Sequence, residues 1–151
     1  MTTHVKKFLP ENDLHAIARF IGEQERTTSG EIRVSIRQRR ARKERGLSIE
    51  ELARKEFHSL GMTKKSERTG VLIFFLLEDR KFHILADEGI HQKVGEGTWQ
   101  TIADQMAHHF SQKKFREGIF HGIQAVAAEL SRHFPRKPGD TNELPNTVHI
   151  A

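Results

Sequence analysis

The stretch Arg68-Thr-Gly-Val-Leu-Ile-Phe-Phe-Leu-Leu-Glu-Asp-Arg-Lys-Phe-His-Ile-Leu-Ala-Asp-Glu-Gly-Ile90 decides the fold of this chain. Its first half, residues 71–77, is apolar without a break, which is typical of a strand buried on both faces of a sheet. The polar residues 78–81 predict a turn, and the alternating apolar and polar side chains after it predict a returning strand with one wetter face. This second strand runs directly into Asp87 and Glu88, so the hairpin ends in two carboxylates.

Length and composition limit the class of protein. The chain has 151 residues, which fits a single domain, and no cysteine, which excludes disulfide bonds and zinc–thiolate sites. Its apolar runs are much shorter than the roughly 20 residues of a membrane-spanning helix, and its first residues lack the apolar core of a signal peptide. We therefore expect a cytoplasmic protein without a membrane span. The net charge of +5 permits an anionic partner but does not identify one.

The residues before the hairpin predict a helix, a strand and a second helix. Apolar residues spaced three and four apart follow Pro10 and form one stripe of an amphipathic helix. Residues 31–37 alternate strictly between polar and apolar, which predicts a strand with one buried face near a sheet edge. Ser48 and Glu51 have the spacing of a capping box, which opens a helix ending near residue 60.

The residues after the hairpin complete the predicted fold. Three glycines predict a loop over residues 90–97, and apolar periodicity predicts helices over residues 98–110 and 115–134. Helices before, between and after a few strands predict a three-layer α/β/α sandwich, with a small mixed sheet and helices on both faces. We expect this domain to span residues 1–135 and the polar residues 136–151 to form a flexible C-terminal tail.

Acidic residues collect at the end of the hairpin and form the candidate site. Asp87, Glu88 and Glu96 lie on or beside the predicted loop, and Glu31 opens the first strand. Carboxylate oxygens are the ligands that calcium and magnesium prefer, so these four acids are a candidate site for a divalent ion, Ca²⁺ or Mg²⁺. The alternative interpretation is structural, with Asp87 capping the following turn and pairing with Arg68.

Two further features have simple interpretations. His108 and His109 are adjacent and the chain has no His-Glu-x-x-His pattern, so we interpret the histidines as helix-surface residues rather than zinc ligands. The basic residues 37–45 lack interleaved aromatic side chains that stack on bases, so we interpret them as a solvated crossover loop and expect no specific nucleic-acid binding.

Several motifs, taken in order, resemble the TPM domain family, also described as thylakoid acid-phosphatase-like domains. The matching segments are Thr28-Ser-Gly-Glu-Ile-Arg-Val34, Ala53-Arg-Lys-Glu-Phe57 with Leu60-Gly-Met62, Arg68-Thr-Gly-Val-Leu-Ile-Phe-Phe75, Phe82-His-Ile-Leu-Ala-Asp-Glu-Gly-Ile90, Val94-Gly-Glu-Gly-Thr-Trp99 and the closing helix of residues 115–135. By this resemblance, which covers residues 10–135, the chain is similar to a stand-alone cytosolic member. The resemblance implies a Rossmann-like α/β/α sandwich without a nucleotide-binding glycine motif.

The same resemblance implies two functions. Some plant members are described as weak acid phosphatases that bind calcium or other divalent ions, and other members as non-catalytic assembly or interaction modules. We expect a non-catalytic or weakly catalytic binding module whose acidic loop cluster meets a divalent ion or an unknown protein partner. The alternative is a divalent-metal-dependent acid phosphatase acting on phosphomonoesters, with Asp87 as nucleophile or base and Arg68 as anion clamp. Exported members typically carry an acid where Arg68 stands here, and a guanidinium repels a metal ion.

Overall fold

Five α-helices and four strands alternate along the chain in the computed structural model, which describes residues 9–62, 70–136 and 148–150. In chain order they are α1 (Glu11–Glu25), β1 (Glu31–Arg37), a 3-10 turn (Arg42–Glu44), α2 (Ile49–Ser59), β2 (Gly70–Leu76), β3 (Lys81–Ala86), α3 (Glu88–Val94), α4 (Glu96–Ser111), α5 (Phe115–His133) and β4 (His149–Ile150). None of the helices in the described ranges is both long and apolar enough to cross a membrane.

The four strands form one mixed sheet in the order β3-β2-β1-β4. Strand β1 pairs in parallel with both β2 and β4, whereas β2 and β3 form the predicted antiparallel hairpin. The hairpin register runs from Val71 opposite Ala86 to Leu76 opposite Lys81. Every residue of β2 is buried, as expected of a strand covered on both faces.

Helices cover both faces of the sheet and divide the core in two. On one face, Ile32, Val34 and Ile36 of β1 continue into the odd-numbered residues of β2 and pack with apolar residues of α1, α4 and α5. On the other face, the even-numbered residues of β2 pack with Leu52 and Phe57 of α2. The predicted three-layer α/β/α sandwich with a mixed sheet is therefore confirmed.

The segment after the hairpin differs from its prediction. Residues 90–97 were expected to form a loop, but helix α3 occupies Glu88–Val94 and helix α4 begins at Glu96, with only Gly95 between them. Ile90 and Val94, four residues apart, both pack against the main core, which is enough to stabilise a short helix. Gly95 has a φ of 90°, a left-handed conformation that favours glycine and lets the two helices meet at an angle.

Strand β1 also differs, because both of its faces are buried rather than one. Glu31, Arg33 and Ser35, which alternate with the apolar residues, are at most 7% exposed. These polar side chains lie on the face that α2 covers, since Ser35 bonds to Glu56 of that helix. Strict alternation therefore marked two chemically different buried faces, and the solvent face predicted for β1 is absent over Glu31–Ile36.

Part of the predicted C-terminal tail joins the sheet. Within residues 136–151 the structure describes residue 136 and residues 148–150, and His149–Ile150 pairs with Ser35–Ile36 of β1. Val148 and Ile150 pack on the main core, and the Nε2 atom of His149 lies 3.8 Å from Oε2 of Glu56. Two apolar residues and the contact of His149 with Glu56 thus place residues 148–150 on the outer edge of β1, although a two-residue strand is too short to show a periodicity in the sequence.

Candidate functional site

Two of the four predicted acids flank the start of β2. Glu31 lies opposite Gly70 in the parallel pairing of β1 and β2, and the backbone N–H of Asp87 donates to the carbonyl of Gly70 at 2.9 Å. Both acids are buried, with 2% of Glu31 and 6% of Asp87 exposed. The fold therefore brings Glu31 and Asp87 to one edge of the sheet, which is the amino-terminal edge of the parallel strands β1 and β2.

Asp87 acts as the N-cap of helix α3. Its Oδ1 atom accepts a hydrogen bond from the backbone N–H of Glu88 at 2.6 Å, and its own backbone is extended. A side-chain cap of this kind satisfies one of the N–H groups that the first turn of a helix leaves unbonded. The carboxylate thus performs the capping role of the structural interpretation, while Arg68, its predicted ion-pair partner and anion clamp, lies outside the described residues.

Glu88 and Glu96 open the two helices that follow β3, and both face solvent. Glu88 is the first residue of α3, where the side-chain amide of Gln92 donates to it at 3.5 Å. Glu96 opens α4 with its side chain 76% exposed, and its Oε2 atom lies 3.6 Å from Nε2 of His91. Among residues 9–62, 70–136 and 148–150, no group of three or more His, Asp or Glu side chains is arranged to hold a metal ion. The divalent-ion site of Asp87, Glu88, Glu96 and Glu31 stays a prediction.

A buried network of charges lies under α2, and the sequence analysis did not identify it. The Oε2 atom of Glu56 accepts a hydrogen bond from Ser35 at 2.6 Å, and its Oε1 atom lies 3.6 Å from Nη2 of Arg37. Arg37 and Lys55 both donate to Glu44, the second of them at 2.9 Å. A glutamate within the apolar stripe of α2, facing a strand with cations at alternate positions, was the signal that could have revealed this network.

The network fixes the ionisation of its members. Burial opposes the ionisation of Glu44, but hydrogen bonds from Lys55, from the backbone of Ala41 and from Arg37 outweigh it and lower the pKa of Glu44 from 4.5 to about 2. Burial lowers the pKa of the Arg33 guanidinium, while Glu25 and Glu56 act in the opposite direction. The charges are thus compensated inside the fold, as buried ions must be.

The basic residues 37–45 are only partly solvated. Arg37 and Arg40 are engaged with acids, the second of them in an ion pair with Asp79 of the β2–β3 turn, and Glu44 is buried. Arg39 and Arg45 remain exposed. The loop is therefore anchored at its start and its middle, and only some of its cations face solvent.

The histidines of α4 and α5 contact each other rather than forming a metal cluster in the described part of the chain. The rings of His109 and His121 lie 5.6 Å apart, and Nε2 of His121 is 2.6 Å from Oε1 of Gln105. In the hairpin, burial lowers the pKa of His83, against the nearby acids Glu50 and Glu96.

The fold defines the class of the protein, which is a small α/β/α sandwich built on a four-stranded mixed sheet. The sequence model of the TPM domain matches residues 3–129, and the chain belongs to the TPM domain family. No curated protein matches the chain.

Solved structures with this fold come from several bacteria. The NMR structure of the BA42 protein from the psychrophilic Bizionia argentinensis is 33% identical, covers 95% of this chain and 96% of its own, and has a TM-score of 0.85. An N-terminal domain from P. gingivalis, at 19% identity, covers 84% of this chain and 79% of its own with a TM-score of 0.67. The N-terminal domain of the cg2496 protein from Corynebacterium glutamicum, at 12% identity, covers 80% and 72% with a TM-score of 0.59. The last two support the fold alone.

Proposed function

We propose that this TPM domain is a binding module with little or no catalytic activity, which meets a positively charged partner at the acidic edge of its sheet. The partner is a divalent cation, calcium or magnesium, or a protein that presents a basic surface. The residues assigned to this contact are Glu88 and Glu96, which reach solvent, with Asp87 and Glu31 behind them.

One observation carries the proposal, namely the use of Asp87 as a buried helix cap. An attacking carboxylate or general base must reach the reacting group, within about 3 Å of the atom it attacks or deprotonates. The Asp87 side chain is almost fully buried and already accepts the N–H of Glu88. This favours a structural role for Asp87 over the nucleophile or base of the phosphatase hypothesis.

The exposed acids support binding at this edge. Glu88 and Glu96 begin two consecutive helices, and their side chains face solvent without a Lys or Arg partner among the described residues. These two exposed carboxylates give the starts of both helices an acidic surface on a protein whose net charge is +5. A cation or a basic segment is the complementary partner for such an edge.

Calcium and magnesium titrations followed by amide NMR shifts test the proposal. We expect shifts in residues 87–97 at millimolar ion, and their loss in the double variant Glu88→Gln/Glu96→Gln. The matched control Glu23→Gln/Glu117→Gln removes two exposed acids on α1 and α5 and should respond like the wild type. No response at residues 87–97, or an equal response in both double variants, would reject the ion as the partner.

A phosphomonoester assay distinguishes the binding-module hypothesis from the phosphatase hypothesis. We expect the wild type and Asp87→Asn to turn over a generic phosphomonoester equally slowly, with or without divalent ions. A wild-type rate that needs the metal and falls at least about a hundredfold in Asp87→Asn, as expected for loss of a catalytic group, would instead support the phosphatase.

A further inference from the structure

A cavity of about 690 Å³ lies at the other end of the sheet, beyond the carboxyl ends of β1 and β2. It opens between the β2–β3 turn and the connection from α4 to α5, and Leu76 and Lys81 at the far end of the hairpin register line it. The acidic edge lies at the opposite end of the same register, beside Val71 and Ala86. The two features are therefore separate.

Aromatic rings form the wall of this cavity. Phe110 of α4 lies against Phe75 and Phe82 of the hairpin, with ring centroids 5.8 and 5.3 Å apart, and 6.0 Å from Phe115 of α5. All four of these rings line the cavity, together with aliphatic side chains such as Ile119. The volume falls within the range of about 300–1,000 Å³ typical of small-ligand sites. Its wall is suited to an apolar chain.

Three cations complete the lining, and all three are exposed: Arg80, Lys81 and Lys113. None of them forms an ion pair with an acid of the described residues. Neither acid of the adjoining turn forms an ion pair with them, since Asp79 pairs with Arg40 and Glu78 accepts the backbone N–H of Arg40 at 3.3 Å. The cavity thus combines an apolar wall with a positive rim.

The backbone at two of these cations is unusual. Arg80 has a φ of 53° and Lys113 a φ of 62°, and they are the non-glycine residues with positive φ in the described part of the chain. A side chain with a Cβ atom pays a conformational cost there that glycine avoids. Both residues lie in turns, since the N–H of Arg80 donates to the carbonyl of Leu77 and the N–H of Lys113 to that of Phe110, and these turns place both cations beside the cavity.

We propose that this cavity binds an amphipathic carboxylate, with its alkyl chain against the four phenylalanines and its carboxylate at Arg80, Lys81 and Lys113. A fatty acid of medium chain length has this chemistry. The proposal is independent of the function proposed for the acidic edge, since it uses the opposite end of the sheet and none of the same residues.

Titration calorimetry with laurate, paired with amide NMR to locate the contact, tests this site. We expect laurate to bind and to shift the amides of residues 77–82 and 107–115. Dodecanol has the same chain length and no charge. Its affinity should be at least about tenfold lower than that of laurate, since a charged hydrogen bond is lost. Failure of laurate to bind, or equal binding of the two compounds, would overturn the proposal.

Two variants test the contacts of the two parts of the ligand, its carboxylate and its alkyl chain. Arg80→Asn/Lys81→Gln should weaken laurate binding about tenfold, and asparagine tolerates the left-handed backbone at residue 80. The control Arg19→Gln/Arg54→Gln removes two exposed cations that do not line the cavity and should bind as the wild type does. Equal binding by both double variants would contradict a cationic head-group site.

The second variant, Ala107→Trp, fills the cavity from α4 without removing a charge. We expect it to abolish laurate binding while its NMR spectrum keeps the dispersion of the wild type. Retained wild-type affinity in this variant would place the ligand elsewhere. Nuclear Overhauser effects from residues 1–8 to Phe110 that persist at saturating laurate would show that the chain itself fills the cavity, and would overturn the proposal.

Discussion

Single residues set the acid sensitivity of the fold, and Glu44 is the clearest case. Its carboxylate is held by Lys55, Arg37 and the backbone of Ala41, which together lower its pKa to about 2 against the opposing effect of burial. A pKa lowered by folding contributes stability that is complete above the ordinary value of 4.5 and is lost as the pH falls towards 2. The folded state therefore loses stability on acidification through this window.

We predict that Glu44→Gln lowers the free energy of unfolding at pH 7 by about 3 kcal/mol, because the shift of the pKa is worth this much and the cations Lys55 and Arg37 each lose one ionised neighbour. The loss should shrink steadily as the pH falls from 4.5 to 2. Urea unfolding of the wild type and of Glu44→Gln, at pH values from about 2 to 7, measures the difference in their free energies of unfolding. A difference between wild type and variant that is the same at pH 2 and pH 7 would contradict the assigned role.

Asp87 offers a second test at the residue scale, because a cap and a charge respond differently to substitution. Asparagine caps helices about as well as aspartate, whereas alanine does not. Asp87→Ala should therefore lower the free energy of unfolding by about 1 kcal/mol, and Asp87→Asn by clearly less. Thermal unfolding at neutral pH compares the two. Equal losses in both variants would mean that the charge of Asp87, rather than its cap, stabilises the fold.

Among the elements, the contact between α4 and α5 depends on two glycines. A Cβ atom on Gly118 would lie 2.4 Å from Cε1 of Phe110, and one on Gly122 would lie 2.4 Å from Sδ of Met106. Gly97, near the start of α4, has no atom within 4 Å of such a Cβ. Substitution of alanine at Gly118 or Gly122 therefore tests the close contact between the two helices, while Gly97→Ala measures only the effect of replacing a glycine within a helix.

We predict that Gly118→Ala lowers the free energy of unfolding by about 1–3 kcal/mol, because the ring of Phe110 must leave its contacts with the rings of Phe75, Phe82 and Phe115. Gly97→Ala should raise it by about 0.5–1 kcal/mol, since alanine restricts the unfolded chain and favours the helix. Chemical unfolding of the two variants decides the matter. Stabilisation by both substitutions would show that α4 and α5 can accommodate a Cβ atom at residue 118 without displacing Phe110.

The elements were readable from the sequence where the signal was local. The hairpin, the capping box of Ser48 with Glu51 and the long helices follow from periodicity and short spacings, and the structure has them all. Helix α3 was missed because three glycines outweighed the four-residue spacing of Ile90 and Val94. Strand β4 was missed because its stability comes from β1 and α2, which are more than 90 residues away in the sequence.

The candidate sites could be predicted only in part, because their geometry depends on contacts between elements that are far apart in the sequence. The sequence predicted that Glu31 and Asp87 would meet at one edge, because strand order is encoded in the alternation of elements. It did not predict which acids are buried, since that depends on how α2 and α3 pack. The cavity could not be predicted, because it is formed by the β2–β3 turn and the α4–α5 connection meeting across the core.

At the scale of the whole molecule, the two ends of one hairpin carry opposite chemistry. The end at Val71 and Ala86 is acidic, with Glu88 and Glu96 exposed, whereas the end at Leu76 and Lys81 is apolar with a cationic rim. Strand β2, which runs between them, is buried along its whole length. A packed sheet that presents two different ends is suited to binding, since each end can meet its ligand without contacting the other.

One two-ligand NMR experiment on the labelled domain tests this account most directly. Calcium is added first and octanoate second, a shorter fatty acid whose calcium salt stays dissolved where that of laurate precipitates, and amide shifts are followed at residues 87–97 and 77–82. The account predicts that calcium moves only the first group and octanoate only the second, each with the same affinity whether or not the other ligand is present. Shifts of both groups by one ligand, or no shift in either group, would contradict it.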